Sequence, residues 1–120
     1  MADFHKYRVW QKAHELTLDT YRATKSFPLD ERFGLTAQMR RAVASIPTNI
    51  AEGLGKIGDN ERARFLNIAM GSASEFQYQV LLSRDLGYLD ANAHDKLHEL
   101  VVEVRKMLTS LRAKLLAVSC

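Results

Sequence analysis

Three clusters of turn-forming residues constrain the fold of this chain more than any other feature. They are SFPLD at 26–30, EGLGKIGD at 52–59 and DLGYLD at 85–90, and they leave four uninterrupted stretches between them. Only two prolines occur in 120 residues, and nowhere do apolar and polar residues alternate as they do in a half-buried strand. Four long stretches without strand periodicity leave helices as the element from which the chain can be built.

The spacing of apolar residues places each helix. The first is expected from about Tyr7 to Lys25, because Val9, Ala13, Leu16, Thr20 and Ala23 recur every three or four residues and stack on one face. Phe27–Pro28 ends it, since a residue before proline is pushed out of the helical region. The second is expected to begin near Asp30, a residue able to cap free N–H groups, and to end at Gly53 or Gly55. The third should follow Asp59 as N-cap, with Glu61 in its first turn, and stop at Gly87. The fourth should begin after Asp90 and run to about Ala117, carrying the stripe Leu97, Val101, Val104, Leu108, Leu111, Leu115 and Val118, widened by Leu100 and Met107. Short turns make successive helices antiparallel. The fold class is therefore all-α, an up-down-up-down antiparallel four-helix bundle forming a single domain over 1–120.

Two of these helices are apolar on more than one side. In the second, Leu35, Met39, Ala42, Val43, Ile46 and Ile50 share an arc, while Ala37, Ala44 and Ala51 line nearly the opposite side. In the third, Phe65, Ile68, Ala69, Ala73, Phe76 and Val80 read as the core arc, and Leu66, Met70 and Leu81 point elsewhere. Surplus apolar surface of this kind predicts self-association, with the alanines allowing close helix approach.

The second helix also carries Pro47, which cannot donate to the Val43 carbonyl and whose ring clashes there, so a kink is expected, with Asn49 or Ser45 satisfying the freed carbonyl. Bordering the apolar arc, Gln38, Arg41, Ser45, Asn49 and Glu52 form a polar ribbon, opposite Ser72, Glu75 and Gln79 of the third helix. Buried polar groups need partners. Arg41 or Arg40 is therefore expected to pair with Glu75, with Asn49 and Gln79 joining the network.

Other apparent sites dissolve on inspection. His94 and His98 have the spacing of a two-histidine metal site, but HDKLH lacks the glutamate of zinc proteases, and no Glu is followed three residues later by His as in di-iron bundles. With Asp95 and Glu99 alongside, the pair reads as a solvated first turn. GLGKIG at 53–58 lacks the Gly-Lys-Ser/Thr ending of a phosphate loop and follows a helix rather than a strand. No nucleophile sits in a recognisable motif. The reading is of a protein without catalytic, cofactor or metal residues.

The net charge of +3 and pI ≈ 9.2 permit contact with nucleic acid without requiring it. The basic residues are spread along the chain. The nearest approach to a patch is Arg40, Arg41, Lys56, Arg62 and Arg64, joined by Lys6, Arg8 and Lys12 near the start. No apolar run approaches the roughly 18 residues of a membrane span, and MADFHKYRVW has no apolar signal region. The single cysteine, Cys120, excludes an internal disulfide and reads as an idle thiol. The expected compartment is the cytoplasm.

The run FPLDERFGLTAQMRRAVASIPTNIAEG, Phe27 to Gly53, resembles without a gap the signature of the four-helix-bundle family named for proteins encoded in intervening sequences of bacterial 23S ribosomal RNA. The small residues Gly71, Ser72 and Ala73 ahead of Glu75 match as well. The resemblance implies a homo-oligomer, a five-membered ring, with no defined activity. A related branch, the accessory proteins of diversity-generating retroelements, resembles a basic pentamer that binds a reverse transcriptase and nucleic acid. The expectation is thus a non-enzymatic homo-oligomeric bundle contacting RNA or DNA through Arg40, Arg41, Lys56, Arg62 and Arg64. The competing class is a protein–protein adaptor.

Overall fold

Four α-helices form where the turn clusters allow them: α1 (Arg8–Thr24), α2 (Leu35–Leu54), α3 (Asp59–Asp85) and α4 (Ala91–Ser119), with single 3-10 turns at Phe4–Lys6 and Leu29–Glu31. The structure is a computed structural model describing residues 3–119; Cys120 and the side chains of Val118 and Ser119 lie outside the described residues. Each helix packs on two neighbours, in the cycle α1–α2–α3–α4 and back to α1. Cross-links fix the direction. Ser83 donates to the Met39 sulfur at 3.1 Å, and six residues further along α2 Ser45 meets Ser72 at 2.9 Å, so α3 runs against α2. The bundle measures 47 × 23 × 21 Å.

The core lies along the shared axis. Val9, Ala13 and Leu16 of α1 meet Met39, Val43, Ile46 and Ile50 of α2, Ala69, Ala73, Phe76 and Val80 of α3, and Leu97, Val101, Val104 and Leu108 of α4. The arc expected for α3 needs rotating by about one position. Leu66 is buried and Ile68 is exposed, because α3 sits between α2 and α4 and its buried side is centred on Ala73 and Val80.

Helix ends are set by local chemistry. α2 begins at Leu35, not near Asp30: residues 29–31 form the 3-10 turn, and the Glu31 carboxylate, rather than Asp30, accepts the Leu35 N–H at 3.0 Å. A Cβ at Gly34 would stand 2.8 Å from Glu31 Oε1, so a side chain there would push this carboxylate off the cap. The other Glu31 oxygen accepts the Tyr88 hydroxyl at 2.9 Å, tying the α1–α2 connection to the α3–α4 connection. α3 starts one residue earlier than expected, with Gly58 (φ 91°) rather than Asp59 at the cap. It ends in a Schellman motif: Gly87 (φ 81°) donates to the Arg84 carbonyl at 2.9 Å and Tyr88 to that of Ser83 at 2.8 Å. Asp90 caps α4 by accepting the Ala93 N–H at 2.8 Å.

Candidate functional site

α2 is continuous through Pro47, and the carbonyl that proline leaves without its helical donor is met from outside. Thr17 of α1 places its hydroxyl 3.3 Å from the Val43 oxygen while also lying 2.8 Å from the Ala13 oxygen, so one proton is shared between two acceptors. Asn49 and Ser45, the expected partners, do something else. Asn49 Nδ2 donates to the Ser45 carbonyl at 2.8 Å and to the Ser45 hydroxyl at 2.9 Å, and that hydroxyl meets Ser72 across the α2–α3 seam.

The expected ion pair between Arg41 and Glu75 is not formed. Arg41 makes no hydrogen bond or ion pair among the described residues, and both side chains are exposed. Each projects beyond the buried arc of its helix into water, where pairing two long side chains gains little. Glu75 instead accepts a 3.3 Å hydrogen bond from Gln79 Nε2. Gln79 is only 4% exposed, and its Oε1 is buried without a donor. Gln38 and Glu52 are exposed. The six residues expected to form one network are therefore divided, and Ser45, Asn49 and Ser72 are the group that joins α2 to α3.

The five arginines and lysines expected to form a patch also separate. Arg40 packs back onto α1, with Nε donating to the Thr24 hydroxyl at 2.9 Å, one terminal nitrogen to the Tyr21 carbonyl at 3.3 Å, and the guanidinium 4.7 Å from the Tyr21 ring centroid. Arg62 closes the α2–α3 turn, donating to the Lys56 carbonyl at 2.9 Å and pairing with Asp59 at 3.1 Å. Lys56 and Arg64 both lie over the ring of Phe65, at 5.0 and 4.7 Å, and Arg64 pairs with Glu61 at 2.7 Å. That hydrogen bond holds the Glu61 carboxyl below its ordinary range and raises Arg64. Arg41 stands about 20 Å along α2 from its far end, beyond which Lys56 lies, at ~1.5 Å per residue.

Two open grooves run along the bundle. One, of ≈ 450 Å³, lies between α1 and α2 and is lined by Phe4, Trp10 and His14 on one side and Ala44, Pro47 and Ala51 on the other. Trp10 stacks on His14 with centroids 5.0 Å apart and meets Phe4 edge-on at 4.9 Å. The second, of ≈ 620 Å³, lies between α3 and α4, and its walls include Gln77, Tyr78, Leu81, Arg84, His94, His98 and Arg105. Here a sequence expectation fails. His94 is not solvated but 7% exposed, with its ring parallel to that of His98 at 5.6 Å and its Nδ1 2.9 Å from Asp95. The pairing of Gln77 with Arg105 across the helices had no signal in the sequence, because it depends on how α3 and α4 are set against each other. Among the described residues no group of three metal-ligating side chains converges, and no helix is long and apolar enough to cross a membrane.

A family model described as 23S rRNA-intervening sequence protein matches residues 5–110. No curated protein matches the chain. A crystal structure from Bacteroides thetaiotaomicron, of a protein with unknown function from the S23 ribosomal protein family, superposes with a TM-score of 0.81. The two sequences are 24% identical, over 87% of this chain and 97% of that one, and the likeness is one of fold.

Proposed function

The chain belongs to the 23S rRNA-intervening sequence protein family, and from that premise we propose that it is a non-enzymatic building block, a bundle that assembles with copies of itself into a ring of five. The observation that carries this reading is the α1–α2 face. Ala44, Pro47 and Ala51 floor a groove there beside Trp10, and Leu18 and Tyr21 continue it along α1 at 42% and 41% exposure. A surface on which small residues border aromatic ones lets a helix of another copy come close while burying apolar area. The test is the mass in solution, by size-exclusion chromatography with light scattering. Wild-type protein should run as an oligomer and Leu18→Glu, altered at an exposed position, as a smaller species of unchanged helicity. A 13.6 kDa wild-type species at micromolar concentration would overturn the reading.

Contact with RNA or DNA is the second part of the proposal, supported by Arg41, which has no ion pair among the described residues, and by Lys56 and Arg64, whose cations flank an aromatic ring. A ring multiplies a charge of +3 per copy. Binding carried by phosphates must weaken with salt, with a log–log slope of about −0.9 per phosphate neutralised on duplex DNA. No binding of labelled RNA or duplex at low salt would place the protein in the competing class, a protein–protein adaptor in the cytoplasm.

A further inference from the structure

We infer that the α3–α4 groove binds a small amphiphilic anion, a flat ring bearing one carboxylate or phosphate. The groove lies on the edge of the bundle opposite the α1–α2 face, so the inference stands or falls independently of the assembly proposed above.

Its lining is chemically one-sided. Four of its eight side chains are Arg84, His94, His98 and Arg105, and none is a carboxylate. Arg84 is engaged by Asp85, which accepts from its Nε and a terminal nitrogen at 3.3 and 3.2 Å. Arg105 is not neutralised in this way. Among the described residues the one partner of its guanidinium is the neutral Gln77 Oε1, at 2.7 Å, and its Nε is buried with no acceptor there. A guanidinium partly withdrawn from water and without a counter-ion among the described residues is an unfavourable arrangement that an anion arriving at its exposed terminal nitrogens relieves. Gln77 holds the planar fork in place, so little side-chain freedom is lost when two oxygens bind it.

The rest of the groove selects what the anion is attached to. From Gln77 to Arg84 is about 10 Å of helix, and between them Tyr78 (60% exposed) and Leu81 offer apolar surface. Across from these, His94 and His98 present parallel rings. A bare ion would leave this surface wet, whereas a ring attached to the anion covers it. The volume of ≈ 620 Å³ falls within the roughly 300–1,000 Å³ of small-molecule sites. A ring with a short acidic arm places its head on Arg105 and its face against Tyr78, Leu81 and His98.

The test is a titration of the intact protein followed by nuclear magnetic resonance at the Gln77 side-chain amide and the Arg105 Nε–H. Indole-3-acetate and adenosine 5′-monophosphate are the ring-bearing probes, distinguishing a carboxylate from a phosphate head. Sodium acetate and inorganic phosphate report the head alone. At least one ring-bearing probe should shift both signals saturably and bind more tightly than its bare head. Arg105→Gln should weaken it at least tenfold. Tyr78→Ala, at an exposed position that leaves folding intact, should weaken the ring-bearing probe and leave its bare head unchanged. The inference fails if neither probe shifts these signals by about 10 mM, above the ~1 mM Kd of fragment-sized ligands. It also fails if the bare heads bind as well as the ring-bearing probes, or if Arg105→Gln folds and binds as wild type does.

Discussion

Two glycines, each inside a helix, should respond oppositely to the same substitution. Gly53 is buried near the end of α2, and a Cβ added there would stand 2.8 Å from Phe65 Cβ and 3.3 Å from the Arg62 carbonyl oxygen. Neither atom can rotate away, so α2 and α3 would have to separate. Overpacking of this kind costs about 1–3 kcal/mol, against which alanine returns at most ~1 kcal/mol of helix propensity, less at a helix end. The net loss for Gly53→Ala is about 1–2 kcal/mol. With an unfolding entropy of ~2.1 cal/mol/K per residue over 120 residues, that lowers Tm by about 4–8 °C. Gly71, exposed within α3, has no atom within 4 Å of its added Cβ, so Gly71→Ala keeps the propensity term alone and raises Tm by up to about 4 °C. Thermal and urea unfolding of both variants, followed by far-UV circular dichroism, is the assay. If Gly53→Ala melts at or above the wild type, the tight α2–α3 approach at this end is refuted.

Thr17→Val keeps the shape of the side chain while removing the proton shared with the Val43 carbonyl; the expected loss is about 1 kcal/mol, and an unchanged melting curve would mean that carbonyl is satisfied otherwise. Glu75→Ala should cost below about 1 kcal/mol, because an exposed carboxylate bonded to Gln79 is lost and not the ~3–5 kcal/mol partner of a buried ion pair; a loss of that larger size would restore the Arg41–Glu75 pair. Glu31 is held below the usual carboxylate range, first by the Leu35 N–H and then by the Tyr88 hydroxyl. Its stabilisation is complete above the unfolded value of ~4.3 and vanishes as pH falls through the lower folded one. Glu31→Gln should therefore flatten the acid side of the stability–pH curve, and parallel curves for variant and wild type would contradict the cap.

What could be read from the sequence is what depends on one helix at a time. The buried arc of α2 from Leu35 to Ile50, the stop at Gly87 and the cap at Asp90 each follow from spacing or from a single residue's conformational preference. The buried arc of α3 lies about one position from the one its spacing predicts, because two neighbours, not one, decide which of Leu66 and Ile68 is covered. Thr17 beneath Val43, Tyr88 on Glu31 and Gln77 on Arg105 join residues 26, 57 and 28 positions apart. Their meeting depends on the axial offset of antiparallel helices, which no local pattern encodes.

The adjacent arginines at 40 and 41 show how the direction in which a helix faces its neighbours decides which donors packing takes up. Successive residues of a helix point about 100° apart. Arg40 therefore turns toward α1, where Tyr21 and Thr24 take up its donors and its ring-stacking face. Arg41 turns away from the core and keeps its donors for solvent or a partner. Arg62 is drawn into the α2–α3 turn in the same way as Arg40. Of the five basic residues expected to form one patch, those left to act on another molecule are thus split between mid-α2 and the Phe65 end of the bundle. A single copy presents these cations too far apart to grip one phosphate cluster. If phosphates are what they meet, the dense positive surface has to come from cations of adjoining copies, and nucleic-acid binding and self-assembly become one property.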